Sequence, residues 1–306
     1  MKRALILIIT GAALWGTIGW YVNHLYEFGF TPFEVVTLRV TSTAILLIVY
    51  FGLTEKKIFK LKTIKDVKYF IGTGIFSIVF FNFCLFTTMN LSTLPIATAL
   101  LYTAPIIVAI LSRILFKEAF TKKKFTALVL SMMGILLIVE ILPSQGQSFQ
   151  WLALVFGLGS GLGYALYSIF SKYALETYHS KTITLYTFIV ATAGCLPFFP
   201  YDKIFIFTQP AALFYAIGLG LLPTAVAYII YTIGLKEVEA SKAAIFSTIE
   251  PVVATVIGIT LFSEAFSVFQ AAGMACIIGA VILLEKWPDR NQNSIAGTAG
   301  KKGVTR

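Results

Sequence analysis

Ten long apolar runs separated by short polar gaps make up most of this chain: residues 4–22, 32–51, 67–88, 95–115, 125–142, 149–171, 182–199, 211–235, 243–262 and 268–284. Most are close to the roughly 20 residues that a helix needs to cross about 30 Å of hydrocarbon. The gaps carry positive charge with a strong alternation. Of the 24 Lys and Arg residues, 22 fall at the two ends, in every second gap or, for Lys68 and Arg113, within three residues of such a gap. They are Lys2 and Arg3; Lys56, Lys57, Lys60, Lys62, Lys65 and Lys68; Arg113, Lys117, Lys122, Lys123 and Lys124; Lys172 and Lys181; Lys236 and Lys242; and Lys286, Arg290, Lys301, Lys302 and Arg306. The opposite gaps hold only Lys203, and Arg39 lies inside the second run. Loops kept in the cytoplasm retain Lys and Arg, whereas translocated loops do not. The pattern predicts an all-α protein of the cell membrane with ten transmembrane helices and both termini cytoplasmic.

Composition excludes several alternatives. With 58% hydrophobic and 12% charged residues, against about 25% charged in soluble domains, the chain is no water-soluble enzyme. The runs are too long and too uniformly apolar for barrel strands, so helices are the one way to satisfy their backbone in lipid. The net charge of +10 is the cytoplasmic bias facing an anionic leaflet, not a nucleic-acid surface. Cys84, Cys195 and Cys276 lie far apart within apolar runs, without metal-ligand or disulfide spacing. The first run is too long for a signal-peptide core and lacks a small-residue cleavage site ahead of Trp15 and Trp20, so it is expected to stay as a helix. Residues 288–306 are polar and aperiodic and read as a disordered cytoplasmic tail.

The chain also repeats itself. Leu115-Phe116-Lys117-Glu118-Ala119-Phe120 closes the fourth run, and Leu261-Phe262-Ser263-Glu264-Ala265-Phe266 closes the ninth. At the same spacing Pro105 aligns with Pro251 and Ala97 with Ala243; with one residue of slippage, Gly134 aligns with Gly279. Five helices are an odd number, so a second copy must insert upside down. Charge agrees: the motif at Glu118 is followed by Lys122–Lys124, that at Glu264 by Val268, Phe269 and Gln270. Residues 1–142 and 143–287 are therefore expected to form two inverted five-helix repeats, the usual build of secondary transporters.

With Ala13-Leu14-Trp15-Gly16 in the first helix and Pro32 and Arg39 in the second, these motifs make the chain resemble the EamA-type transporters of the drug/metabolite transporter superfamily. The similarity covers about residues 4–285. It departs from the family pattern where Lys117 and Ser263 replace a Gly before each terminal Glu. The resemblance implies a ten-helix carrier that exports or exchanges amino acids, other metabolites or toxic compounds.

Glu250 is the sharpest candidate residue, deep in the ninth helix and directly before Pro251. A charge at that depth costs at least about 2.5–3.5 kcal/mol, so the side chain should face the bundle interior. Burial disfavours the ionised form and fits a proton carrier; the structural alternative is a protonated carboxyl bonded to a neighbour, such as a carbonyl freed by Pro251. Arg39 could hold a substrate carboxylate in a two-pronged grip, or pair structurally with Glu34, Glu250 or helix-end carbonyls. The resemblance favours the structural role, because Arg stands there in members with different substrates. Pro105 and Pro251 should break their helices at equivalent depths, which points to a binding region or merely to tolerated kinks. Tyr102, Thr103 and Thr248 bring polar tips to those breaks; Asn82, Trp15, Tyr164 and Tyr228 form a further group suited to a partly apolar solute or to packing. Gly157, Gly159, Gly161 and Gly163 lie within a helix without a following Lys, so they read as close packing and not as a phosphate loop.

A membrane chain of this kind can be an enzyme, a receptor or a carrier. An intramembrane enzyme lacks its chemistry here: His24, His179, Asp66, Asp202 and Asp289 all lie outside the runs. A receptor or scaffold would want longer loops or a soluble domain. A secondary transporter, without cofactor or metal, fits best. It would export a small amino acid-like or partly apolar metabolite by alternating access, coupled to protons through Glu250. An uncoupled exchanger or facilitator, or a drug efflux protein, is the alternative.

Overall fold

The computed structural model describes residues 2–140 and 150–285; the tail expected over 288–306 lies outside them. Among the described residues all regular structure is helical, and nine segments are long and apolar enough to cross a membrane. In chain order with the intervening fifth helix, the segments are α1 (Lys2–Glu27), α2 (Pro32–Thr54), α3 (Ile64–Leu91), α4 (Leu94–Leu115), α5 (Lys122–Val139), α6 (Trp151–Ala174), α7 (Ser180–Phe198), α8 (Pro210–Glu237), α9 (Ala240–Leu261) and α10 (Val268–Glu285). The helix outside the nine is α5, which the charge pattern counts among ten. It has 18 residues and opens with Lys122, Lys123 and Lys124, so its apolar stretch is shorter than the others.

Local chemistry sets the starts. Thr31 and Glu34 form a reciprocal capping box ahead of α2, with Pro32 at the first helical position. The Thr93 and Thr121 hydroxyls accept from the backbone N–H of Ile96 and Lys124 to cap α4 and α5. The ends of α4 and α9 are also alike. Lys117 and Ser263, the residues standing where the family pattern has Gly, take left-handed φ values of 57° and 54°. The chain turns back there, so the N–H of Glu118 reaches the Ser112 carbonyl and that of Glu264 reaches Gly258.

Helix association in lipid depends on close packing more than on burial of apolar area. A Cβ added at Gly134 of α5 would lie 2.7 Å from the Gly273 carbonyl oxygen of α10, so glycine is what lets these two backbones touch. The partner of Gly134 is thus Gly273, not the sequence-matched Gly279. Between the remaining helices the sequence halves interleave. Helix α1 packs on α8 and α9, and α6 packs on α3 and α4. Helix α2 packs on α8, and α7 on α3. Both α3 and α8 widen into π-helix, over Gly72–Val79 and Leu221–Val226. At those stretches Thr73 bonds Thr187 of α7 at 2.6 Å, and Thr43 of α2 donates to the Gly220 carbonyl at 2.9 Å.

Loop contacts join gaps that charge counting assigns to one side. On the Lys-rich face Lys181 pairs with Glu55 at 2.5 Å, and Tyr178 donates to Asp66 at 2.5 Å. On the opposite face Lys203 pairs with Glu34 at 2.7 Å.

Candidate functional site

At the centre of the bundle two helices broken ahead of a proline, α4 and α9, meet α6, which is continuous, and α1, which is itself interrupted at Thr17. Helix α4 breaks at Tyr102–Thr103 and resumes at Ala104, with Pro105 in its first turn. Helix α9 breaks at Ser247–Thr248 and resumes at Ile249, with Glu250 and Pro251 in its first turn. Glu250 is therefore not in a continuous mid-helix but on the rim of a break. At each break a threonine hydroxyl folds back on its own helix: Thr103 donates to Leu100 O, and Thr248 to Ile245 O, both at 2.7 Å. Facing glycines allow α1 and α6 to approach. A Cβ at Gly16 would meet the Glu250 carbonyl oxygen at 2.7 Å, and one at Gly161 would meet the Leu100 carbonyl oxygen at 2.9 Å.

The Glu250 carboxylate is partly buried and accepts a 2.8 Å hydrogen bond from the Tyr164 hydroxyl of α6. The Tyr102 hydroxyl is a second hydrogen-bond partner, and Arg39 stands close enough for its charge to act on the carboxylate. Above this group lies an aromatic cluster. Trp15 meets Tyr164, Tyr228 and Tyr231 with ring centroids 6.0, 5.0 and 4.8 Å away. Tyr167 and Phe188 pack edge-on against Tyr228. A small cavity opens among Trp15, Ser77, Phe81, Tyr164, Tyr167, Ser168, Tyr228 and Tyr231; it has room for on the order of one water molecule. Two polar atoms of its lining have no protein partner although buried, Trp15 Nε1 and Ser77 Oγ, and outside the lining Nε and Nη2 of Arg39 are likewise buried without a partner. Native interiors satisfy nearly all such atoms, so unpartnered donors in the lining of a cavity this size fit a bound water or the polar end of a solute.

The EamA-like transporter family matches this chain twice, over residues 2–140 and 151–285. The chain belongs to this family. An uncharacterized transporter of Archaeoglobus fulgidus is 30% identical, over 92% of this chain and 96% of its own. The uncharacterized transporter YetK of Bacillus subtilis is 26% identical, over 82% and 78%. A crystal structure at 17% identity superposes with a TM-score of 0.77, covering 94% of this chain and 97% of that one, and so shares its fold. The EamA-like protein is thus a multi-pass membrane transporter that moves a small solute.

Of the residues singled out in the transporter's sequence, the structure gathers Glu250, Tyr164, Tyr102, Arg39, Trp15 and Tyr228 at this centre. Asn82 and Thr248 are buried and each donates to its own helix, Asn82 through its amide nitrogen to the Ile78 carbonyl and Thr248 through its hydroxyl to Ile245, both at 2.7 Å. Arg39 does not pair with Glu34, which is held by Lys203 and the Thr31 cap. Sequence reasoning passed over Tyr231, Tyr167, Ser168 and Thr232. Ser168 bonds Tyr231 at 2.8 Å and Tyr167 bonds Thr232 at 2.7 Å, joining α6 to α8 on the Lys-rich side of the cavity. Their signal was helical spacing: Tyr164, Tyr167 and Ser168 share one face of α6, as Tyr228, Tyr231 and Thr232 share one of α8.

Proposed function

We propose that the chain is a secondary transporter of the cell membrane with ten transmembrane helices, two inverted five-helix repeats and cytoplasmic termini. It exports a small organic metabolite, amino acid-like or partly apolar, by alternating access. The observation that carries this is the Glu250 carboxylate, held by Tyr164 and Tyr102 at a helix break beside a cavity with unmet polar atoms. An ionisable group deep in the membrane is costly and is kept for transport chemistry. Glu250 carries a proton, exchanged as the site changes sides. Arg39, with two unpartnered nitrogens, takes the anionic end of the solute, and the rings of Trp15, Tyr228 and Tyr231 take its apolar body. Tyrosine and tryptophan suit such a site because one side chain offers both a face and a polar tip.

The test is counterflow of protons and solute in vesicles containing the purified protein or Glu250→Gln. Proton movement that follows the solute and vanishes in Glu250→Gln supports the reading. Solute flux indifferent to the proton gradient and intact in Glu250→Gln leaves the second reading, an uncoupled exchanger. That second reading draws on the same two hydrogen bonds, which would then hold Glu250 in place as structure.

A further inference from the structure

The Glu118 carboxylate does not lie free in its loop: it caps the first turn of α9, accepting from the N–H of Ala240 at 2.7 Å, from the N–H of Ser241 at 3.1 Å and from the Ser241 hydroxyl. Buried Lys124 backs it, 4.0 Å from Glu118 and 3.0 Å from Glu239, while donating to the Ala119 carbonyl. Lys172 of α6 adds bonds to the carbonyls of Leu235 at 2.7 Å and Val238 at 2.6 Å. These contacts tie α4, α5 and α6 to the α8–α9 turn on the Lys-rich face. Beneath them the first part of α9 packs against the second part of α4.

The repeat supplies a control. Glu264 matches Glu118 in sequence and in backbone turn, and its matched target is the first turn of α4. The matched partners have changed: Pro95 stands for Ser241, Thr93 for Glu239 and Gln270 for Lys124. Proline offers neither an N–H nor a hydroxyl. Thr93 already caps α4 from within, through the Ile96 N–H. Glu264 is exposed, and its carboxylate has no partner among the described residues.

We infer that Glu118 and the first turn of α9 form a latch that holds the Lys-rich side closed, and that the matched Glu264 forms none on the opposite side, where Lys203–Glu34 and Ser267–Glu140 join the loops but leave the first turn of α4 unheld. The empty carrier then rests closed toward the cytoplasm, and cytoplasmic opening requires Glu118 to leave Ala240 and Ser241. Charge-assisted hydrogen bonds to backbone N–H groups are among the stronger polar contacts, so their number decides which side opens first. This rests on the alternating-access reading above, but its readout is accessibility and needs no known solute.

The experiment uses the full chain in membrane vesicles of both orientations, with Cys84, Cys195 and Cys276 replaced by Ala. Two reporters sit at matched positions, Ala244→Cys in α9 and Thr98→Cys in α4, and are labelled with a membrane-impermeant maleimide. In the parent, Thr98→Cys is expected to react at least about tenfold faster, from the outer side, than Ala244→Cys from the cytoplasmic side. Glu118→Gln is expected to speed Ala244→Cys about tenfold or more, and Ser241→Ala by a smaller factor. Pro95→Ser, which restores donors to α4, is expected to slow Thr98→Cys. Unchanged Ala244→Cys labelling in both Glu118→Gln and Ser241→Ala overturns the latch; Ser241→Ala, the milder change, decides the matter where Glu118→Gln fails to fold. Labelling that responds as expected in a protein that moves no solute would sink the transporter reading and leave the latch standing.

Discussion

In α4 the helix stops at Tyr102–Thr103 and restarts with Ala104 ahead of Pro105; in α9 it stops at Ser247–Thr248 and restarts so that Glu250 stands ahead of Pro251. Both breaks have a threonine hydroxyl returned to its own helix and a glycine of a neighbouring helix against a nearby carbonyl. The residues at the two breaks are not the same, Tyr102 and Thr103 standing where α9 has Thr248 and Ile249, and directly before the proline the contrast is sharpest: a buried methyl at Ala104, a carboxylate at Glu250. Backbone geometry at the breaks is shared, while the ionisable chemistry occurs at one of them. That division makes physical sense, because a break only removes backbone hydrogen bonds, whereas each added carboxylate carries a further insertion cost of about 2.5–3.5 kcal/mol.

Ala104→Glu attacks this contrast most directly. Its site is 1% exposed and has no hydrogen-bonding tyrosines arranged for it, so we expect a loss of about 2.5–3.5 kcal/mol, seen as lower folded yield and a lower Tm in detergent. An Ala104→Glu/Glu250→Ala protein that folds and transports normally would show the two breaks to be interchangeable. Gly16→Ala and Gly161→Ala sharpen the backbone side of the comparison. Each should lose about 1–3 kcal/mol from overpacking. Gly16→Ala should lose more, since it meets both a carbonyl and the Val253 side chain at 2.7 Å, whereas the nearest atom to a Gly161 Cβ is a threonine hydroxyl; equal shifts in Tm would contradict that ranking.

Tyr164→Phe removes the 2.8 Å bond to Glu250 while keeping the ring against Trp15. A hydrogen bond to a charged group contributes about 1.5–3 kcal/mol to stability, so Tm should fall by several degrees and transport should fall about tenfold; the same Tm loss at full activity would make this tyrosine a structural residue. The smallest effect is expected at the helix ends. Replacing Lys117 or Ser263, at φ 57° and 54°, with Gly should relieve left-handed strain and stabilise by up to about 1 kcal/mol. The two gains should be similar if the turns are equivalent, and this is measurable in paired thermal melts.

The membrane helices were legible because hydropathy and Lys placement act on whole segments. Both breaks were announced by Pro105 and Pro251, and Glu250 by its depth. What stayed hidden was the interleaving of α1 with α8 and α9, and of α6 with α3 and α4. In lipid a helix is apolar on most sides, so no amphipathic stripe tells which face meets which partner. Asn82 illustrates a related point: a polar tip in an apolar run can find a partner in its own helix, here at Ile78, so its presence alone does not say which face it serves. Tyr231 was lost among 14 tyrosines, since composition so rich in aromatics makes single rings uninformative until spacing is considered.

The most direct test of the central claim, that the single carboxylate at the second break performs transport, is a metabolite comparison of medium and cytosol. Cells would overproduce the native protein or Glu250→Gln at matched membrane levels. The account predicts a solute that accumulates outside with the native protein and not with Glu250→Gln. The same solute leaving equally well with both proteins would contradict it and reduce Glu250 to a structural residue of α9.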